Sequence, residues 1–117
     1  MCCLDGNIYL VGGGKDERKV TEYNPRNNTW QNMPSLQRGR PNSSICTLDY
    51  KIFVLGGASI NDTTCEMLDL SDDDPHWRYI SNLKTGHSSG GAVVIQKKIY
   101  ALGDGTRVMV YDEDQGM

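Results

Sequence analysis

Ten residues near the start of the chain, Leu4-Asp5-Gly6-Asn7-Ile8-Tyr9-Leu10-Val11-Gly12-Gly13, align without gaps on Leu48 to Gly57, an offset of 44 positions. Cys2 falls on Cys46 in the same register. A third copy follows 47 residues later, with Ile99-Tyr100-Ala101-Leu102 on Ile52 to Leu55 and Gly103-Asp104 on the glycine pair. The second half of each unit recurs as well. Tyr23 leads to Trp30 after seven residues, Leu68 leads to Trp77 after two more than that, and Tyr111-Asp112 opens a third instance. A period of this size makes each unit one supersecondary element that buries its apolar surface only by stacking on its neighbours.

Within a unit the segments are short and rich in β-branched and aromatic residues. Clusters of Gly, Asn, Asp and Pro separate them, which is the chemistry of strands and tight turns. Asn24-Pro25-Arg26-Asn27-Asn28 is a strong turn signal, because proline presets φ and asparagine tolerates the left-handed region. No stretch shows helical amphipathicity. Each unit therefore reads as four antiparallel strands, and the fold class as all-β. In the middle unit the strands are expected near Ser43–Leu48, Lys51–Leu55, Cys65–Asp69 and His76–Ile80. The chain divides into a first unit over 1–35, which keeps only the tail of its first strand at Cys2 to Leu4, and a complete unit over 36–83. The third unit, over 84–117, stops after its third strand, Arg107 to Tyr111; ten strands are recognisable in all.

Composition narrows the function. With 117 residues, 38% of them hydrophobic and 23% charged, the chain has room for one domain at most. The 12 basic residues against 15 acidic ones give no stripe able to neutralise several phosphates, so nucleic acid is not an expected partner. The longest apolar runs, such as Gly91 to Ile95, are five residues, where a membrane-spanning helix needs about 18. No membrane partner is expected, and the first residues show no secretory signal. Cys2, Cys3, Cys46 and Cys65 form no Cys-x-x-Cys pair, and only His76 and His87 could join them, so they read as reduced, buried thiols rather than a zinc site. Asn27, Asn42 and Asn61 each begin a glycosylation sequon that would matter only in a secreted protein.

Other motifs fail on chemistry. Gly12-Gly13-Gly14-Lys15 has Tyr9 where a phosphate loop needs its first glycine and Asp16 where it needs a magnesium-binding hydroxyl. Asp72-Asp73-Asp74 lacks the alternating ligands of a calcium loop and reads as a solvated acidic turn. His87 beside Ser88 and Ser89 is the single local candidate for nucleophilic catalysis, and neighbours on a strand point to opposite faces. No catalytic group, metal or cofactor is assigned, and an enzyme is not expected.

An apolar strand ending in Gly-Gly, then a Tyr-Asp type pair, then Trp, in a unit near 50 residues, resembles the kelch repeat. The resemblance covers almost the whole chain. It implies kelch-type β-propeller blades, four-stranded antiparallel sheets of which typically four to eight surround a channel. Some two and a half blades make an incomplete propeller, so the chain is expected to be a piece of a longer protein with unpaired inter-blade faces at both ends. Gly12, Gly13, Gly56, Gly57, Trp30, Trp77, Tyr23 and Tyr111 are expected to serve the fold, the tryptophans by filling space between adjoining blades.

Kelch domains that bind peptides use two loop sets on one face. Carried over position by position, the loop between the second and third strands corresponds to Lys15, Asp16, Glu17 and Arg18, then to Ser59, Ile60, Asn61 and Asp62, then to Gly105, Thr106 and Arg107. The connection between blades gives Arg38, Arg40, Asn42 and Ser43, then His87, Ser88 and Ser89. Arg38 and Arg40 are the sharpest candidates, and Arg40 is expected to grip an acidic peptide, since a guanidinium holds a carboxylate through two hydrogen bonds. Tyr23-Asn24-Pro25-Arg26-Asn27-Asn28-Thr29-Trp30, then Met33-Pro34 and Leu36 before Arg38 and Arg40, is similar to the BTB-kelch family in particular. That resemblance implies a cytoplasmic protein-interaction module that recognises substrates for a cullin-based ubiquitin ligase, with the cullin bound by segments outside this chain. An actin-binding or scaffolding kelch protein is the alternative.

Overall fold

The structure is a computed structural model that describes residues 2–12, 17–59, 61–87, 90–102 and 108–112. The described residues form three antiparallel sheets and no helix, as the all-β reading expects. The first sheet runs β1 (Cys2–Leu4), β2 (Asn7–Val11), β3 (Val20–Asn24) and β4 (Thr29–Asn32) in sequence order. The second runs β5 (Ser44–Leu48), β6 (Lys51–Leu55), β7 (Cys65–Asp69) and β8 (Arg78–Ile80). The third holds β9 (Gly91–Ile95), β10 (Lys98–Leu102) and β11 (Val108–Asp112). The tail at Cys2–Leu4 pairs fully with β2 and makes an eleventh strand beside the ten read from the repeat.

Local chemistry explains the first hairpin of each sheet. Asp5-Gly6, Asp49-Tyr50 and Gln96-Lys97 join their strands with both residues at positive φ, between 50° and 83°. Such two-residue turns follow the right-handed twist of the strands they connect. Aspartate and glycine adopt that geometry readily; Tyr50 and Lys97 do so at a cost in steric strain.

Register decides what each face buries. In the second sheet Ile52 and Leu68 pair, as do Val54 and Glu66, on the face toward the first sheet. There Ile52, Val54, Leu68 and Trp77 close a core with Tyr9, Val20 and Leu36. The opposite face carries Cys46, Phe53, Leu55 and Met67 against Ile99, Ala101 and Tyr111 of the third sheet. The middle sheet is thus apolar on both sides, as its continuous run Lys51-Ile52-Phe53-Val54-Leu55 requires. First strands line up: β5 lies against both β1 and β9, and Thr47 Oγ1 donates to the Cys3 carbonyl at 3.2 Å. Three sheets packed face to face around a line of first strands have the form of consecutive propeller blades.

Tyr111 and Trp77 lie between sheets as the fold reading expects, Trp77 at 2% exposure. Trp30, at the matching place in the first sheet, is 62% exposed and meets Tyr23 at a tilt of 47° with ring centroids 4.7 Å apart. Its side of the sheet has no neighbour among the described residues.

Candidate functional site

Two equivalent sets of main-chain bonds build one end of the structure. The amide of Leu36 donates to the carbonyl of Arg18 at 2.9 Å, and the amide of Leu83 to that of Thr63 at 2.8 Å. Arg40 donates to Glu17 at 3.2 Å, and His87 to Asp62 at 3.0 Å. In each case the chain leaving one sheet is tied to the loop between the second and third strands of that sheet. Leu36 and Leu83, both buried, plug the adjoining cores. The belt continues across sheets, from the Asn42 amide to the Gly57 carbonyl at 3.2 Å and from the Gly57 amide to the His87 carbonyl at 2.9 Å. The described parts of these loops and connections, 17–18, 36–43, 61–64 and 83–87, are thereby tied together at one end of the sheets.

Glycine is required at the crossing. Gly57 has φ of +95°, and a Cβ there would lie 2.2 Å from the Ser43 nitrogen. Gly56 has φ of +58°, and its Cβ would lie 2.3 Å from the His87 carbonyl oxygen. No rearrangement of a flexible side chain relieves either contact, since both obstacles are backbone.

Beneath this surface lies a buried ionic network. Arg40 Nε donates to Glu66 Oε2 at 2.9 Å, and its Nη1 donates to Asp62 Oδ2 at 3.1 Å and to the carbonyls of Gly56 and Thr64, both at 2.9 Å. Arg40 Nη2 donates to Thr64 Oγ1 at 2.9 Å. Glu66 also accepts from the amides of Gln37 and Arg38, at 2.6 and 3.3 Å. Burial raises the pKa of Asp62, but the Thr64 hydroxyl and amide, the Ala58 amide and the Arg40 charge outweigh it, and the carboxyl sits below its ordinary value.

This network corrects three expectations. Arg40 cannot grip a peptide, because its guanidinium is fully enclosed and spent on internal acceptors. Asp62 is enclosed too, holding Arg38, Arg40 and Thr64. His87 is 1% exposed; its Nε2 shares a 2.6 Å hydrogen bond with Ser44 Oγ, and its Nδ1 has no hydrogen-bond partner among the described residues. Burial holds the His87 pKa below the ordinary 6.5. Although a serine beside a histidine is the raw material of a nucleophile, Ser44 at 4% exposure is closed to any substrate.

The remaining candidates lie nearer the surface. Arg38 is 46% exposed while its Nη1 reaches Asp62 Oδ1 at 3.2 Å and Thr64 Oγ1 at 3.4 Å. Arg18 is exposed and donates through Nε to the Leu36 carbonyl at 2.8 Å. Asn42 and Asn61 are exposed and Ser43 is half-buried. Lys15, Asp16, Ser88, Ser89 and Arg107 lie outside the described residues.

Glu66, the centre of the network, was not among the candidates. A carboxylate in the strand Cys65-Glu66-Met67-Leu68 is the available signal, since on a strand buried on both faces it demands a buried cation.

Comparison with known proteins agrees with this architecture. Residues 1–37 match the Kelch motif. An F-box/kelch-repeat protein of Arabidopsis thaliana is 33% identical over 85 residues, which is 70% of this chain and 19% of that protein. A second from the same plant is 26% identical over 141 residues, covering 99% of this chain and 34% of its own length. Kelch repeat protein C2 of cowpox virus is 25% identical over 103 residues, 86% of this chain and 20% of the viral protein. The chain thus spans about a fifth to a third of these relatives. They support kelch repeats, and with them a protein-interaction module, but not the narrower likeness to BTB-kelch proteins.

Proposed function

We propose that the loop face centred on Arg38 selects a peptide with acidic side chains, as the substrate-recognition part of an adaptor for a cullin-based ubiquitin ligase. One observation carries the reading. Arg38 is fixed on one side by Asp62 and Thr64 yet leaves nearly half of its side chain open to solvent. A guanidinium already held in place loses less side-chain freedom on gripping a carboxylate. Asp62 and Glu66 are balanced by Arg40 and Arg38 together, and the exposed part of the Arg38 guanidinium keeps donors that a ligand carboxylate can take. The F-box/kelch names of the plant relatives support the ligase setting, in which cullin binding belongs to segments outside these residues. Four unpaired thiols fit the reducing cytoplasm, where we place the protein.

The test is affinity purification of the protein carrying this sequence, with mass spectrometry of its partners and of its own flanking peptides. A cullin together with F-box or BTB peptides is the expected result. Actin without a cullin would instead make it a cytoskeletal scaffold. For a captured substrate peptide, Arg38→Ala is expected to weaken binding about tenfold, the scale of one charge-assisted hydrogen bond. Unchanged affinity with retained fold would remove Arg38 from the site.

A further inference from the structure

Tyr79 carries an aromatic ring that the repeat does not require. Its place in β8 pairs with Glu66, where the matching pair of the first sheet is Asn32 with Thr21. Residues directly opposite on neighbouring strands share a face, so Tyr79 stands with Glu66 on the side toward the first sheet. Trp77, which closes the core there, is 2% exposed, while Tyr79 leaves 50% of itself in water. Packing of the two sheets does not account for a ring at this position.

What borders the ring is the connection that carries Arg38. The amides of Gln37 and Arg38 both donate to the Glu66 carboxylate, at 2.6 and 3.3 Å, and the Gln37 side-chain amide donates to the Trp77 carbonyl at 2.9 Å. Trp77 Nε1 donates in turn to the Pro34 carbonyl at 2.7 Å. The connection is thus fastened along β7 and the start of β8. Glu66 lies in register with Tyr79 and under the Arg38 amide, which brings a half-open ring and a half-open guanidinium to one rim of the second sheet. Both are set in advance, Tyr79 by the strand ladder and Arg38 by Asp62 and Thr64, so little ordering is left for a ligand to impose. Tyrosine and arginine are also the side chains that most often anchor an interface. We infer that Tyr79 is the second anchor of the Arg38 surface, and that the peptide bound there bears an apolar or aromatic side chain a few residues from its acidic one. This rests on the acidic-peptide reading and adds the neighbour that the acid must have. An apolar side chain laid on the ring takes area of both out of water, a gain no carboxylate supplies.

Selection of random linear peptides displayed on phage, against the protein carrying this sequence, tests the pair. The wild type is expected to enrich peptides in which Asp or Glu stands within a few residues of Tyr, Phe, Trp, Leu or Met. Tyr79→Ala is expected to keep the acids, lose the apolar preference and weaken a selected peptide about fivefold, the scale that marks an anchor residue. Tyr79→Phe keeps the ring and is expected to bind as the wild type does. Both variants are expected to retain the wild-type midpoint in urea, so that lost binding is lost contact. Acidic peptides without an apolar preference, or a preference that survives Tyr79→Ala, would overturn the inference and leave the Arg38 reading standing. A midpoint in Tyr79→Ala that falls along with binding would make the ring structural and overturn it too. Apolar peptides without acids, indifferent to Arg38→Ala, would instead overturn the reading beneath it, and no enrichment at all would overturn both.

Discussion

Arg40 and Glu66 meet at 2.9 Å with both side chains closed to solvent, and they lock the connection between the first two sheets onto the third strand of the second. Removing Glu66 leaves the enclosed Arg40 with Asp62 as its one carboxylate and takes the acceptor from the Gln37 and Arg38 amides, a loss approaching the roughly 3–5 kcal/mol of a broken buried pair. Domain stability is only about 5–15 kcal/mol in total. Glu66→Ala is therefore expected to leave much of the protein unfolded, as read by urea unfolding at neutral pH. A midpoint equal to that of the wild type would show that the network adds nothing.

His87 gives stability a pH dependence with a definite sign. Burial depresses its folded-state pKa below the 6.5 of the unfolded chain, so below that value the unfolded chain binds the proton that the folded one refuses. Stability from this group is whole above pH 6.5 and declines as the pH falls through and below it. Unfolding free energy measured across this range is expected to drop in acid, and less so in His87→Gln. Asp62 acts in the same direction further down, since its lowered pKa makes stability fail as pH drops through the ordinary carboxylate range.

Two glycines with similar φ should respond very differently to alanine. At Gly6, φ is +83° and the nearest atom to an added Cβ is 4.0 Å away, so Gly6→Ala pays only for the left-handed backbone, about 1–2 kcal/mol. At Gly57 the same change would also place a carbon 2.2 Å from a backbone nitrogen. Soluble expression and a cooperative thermal melt are expected for Gly6→Ala and lost for Gly57→Ala.

The thiols should separate by reactivity. Burial pushes Cys46 up to about 12 and Cys65 to about 11, which leaves almost no thiolate at neutral pH. Burial likewise takes Cys2 to about 11, while Cys3 is exposed. Titration with a thiol reagent is expected to label Cys3 first and Cys46 and Cys65 only on unfolding. Rapid labelling of all four in the native protein would contradict the packing between the second and third sheets.

The repeat made much of this legible. Lys51–Leu55 and Cys65–Asp69 were readable to the residue, because apolar runs with turn residues at both ends fix strand limits. The last strand of that sheet starts at Arg78 rather than His76, since Pro75 has no amide to pair and Trp77 turns into the core. The burial of Arg40 was not readable, because it depends on Glu66, Asp62 and Thr64 arriving from elsewhere in the chain. Trp30 shows the other limit: the repeat places it like Trp77, yet among the described residues no sheet packs on its side and it stays exposed.

The belt from Asn42 to Gly57 to His87 is made entirely of peptide groups. Every residue but proline supplies the same amide and carbonyl, so the side chains of Asn42, Ser43 and Asn61 can be exchanged without loosening the joint beneath them. A surface founded in this way can acquire a new vocabulary of ligands while its grammar stays fixed, with the glycines and the enclosed Arg40 cluster alone resisting change.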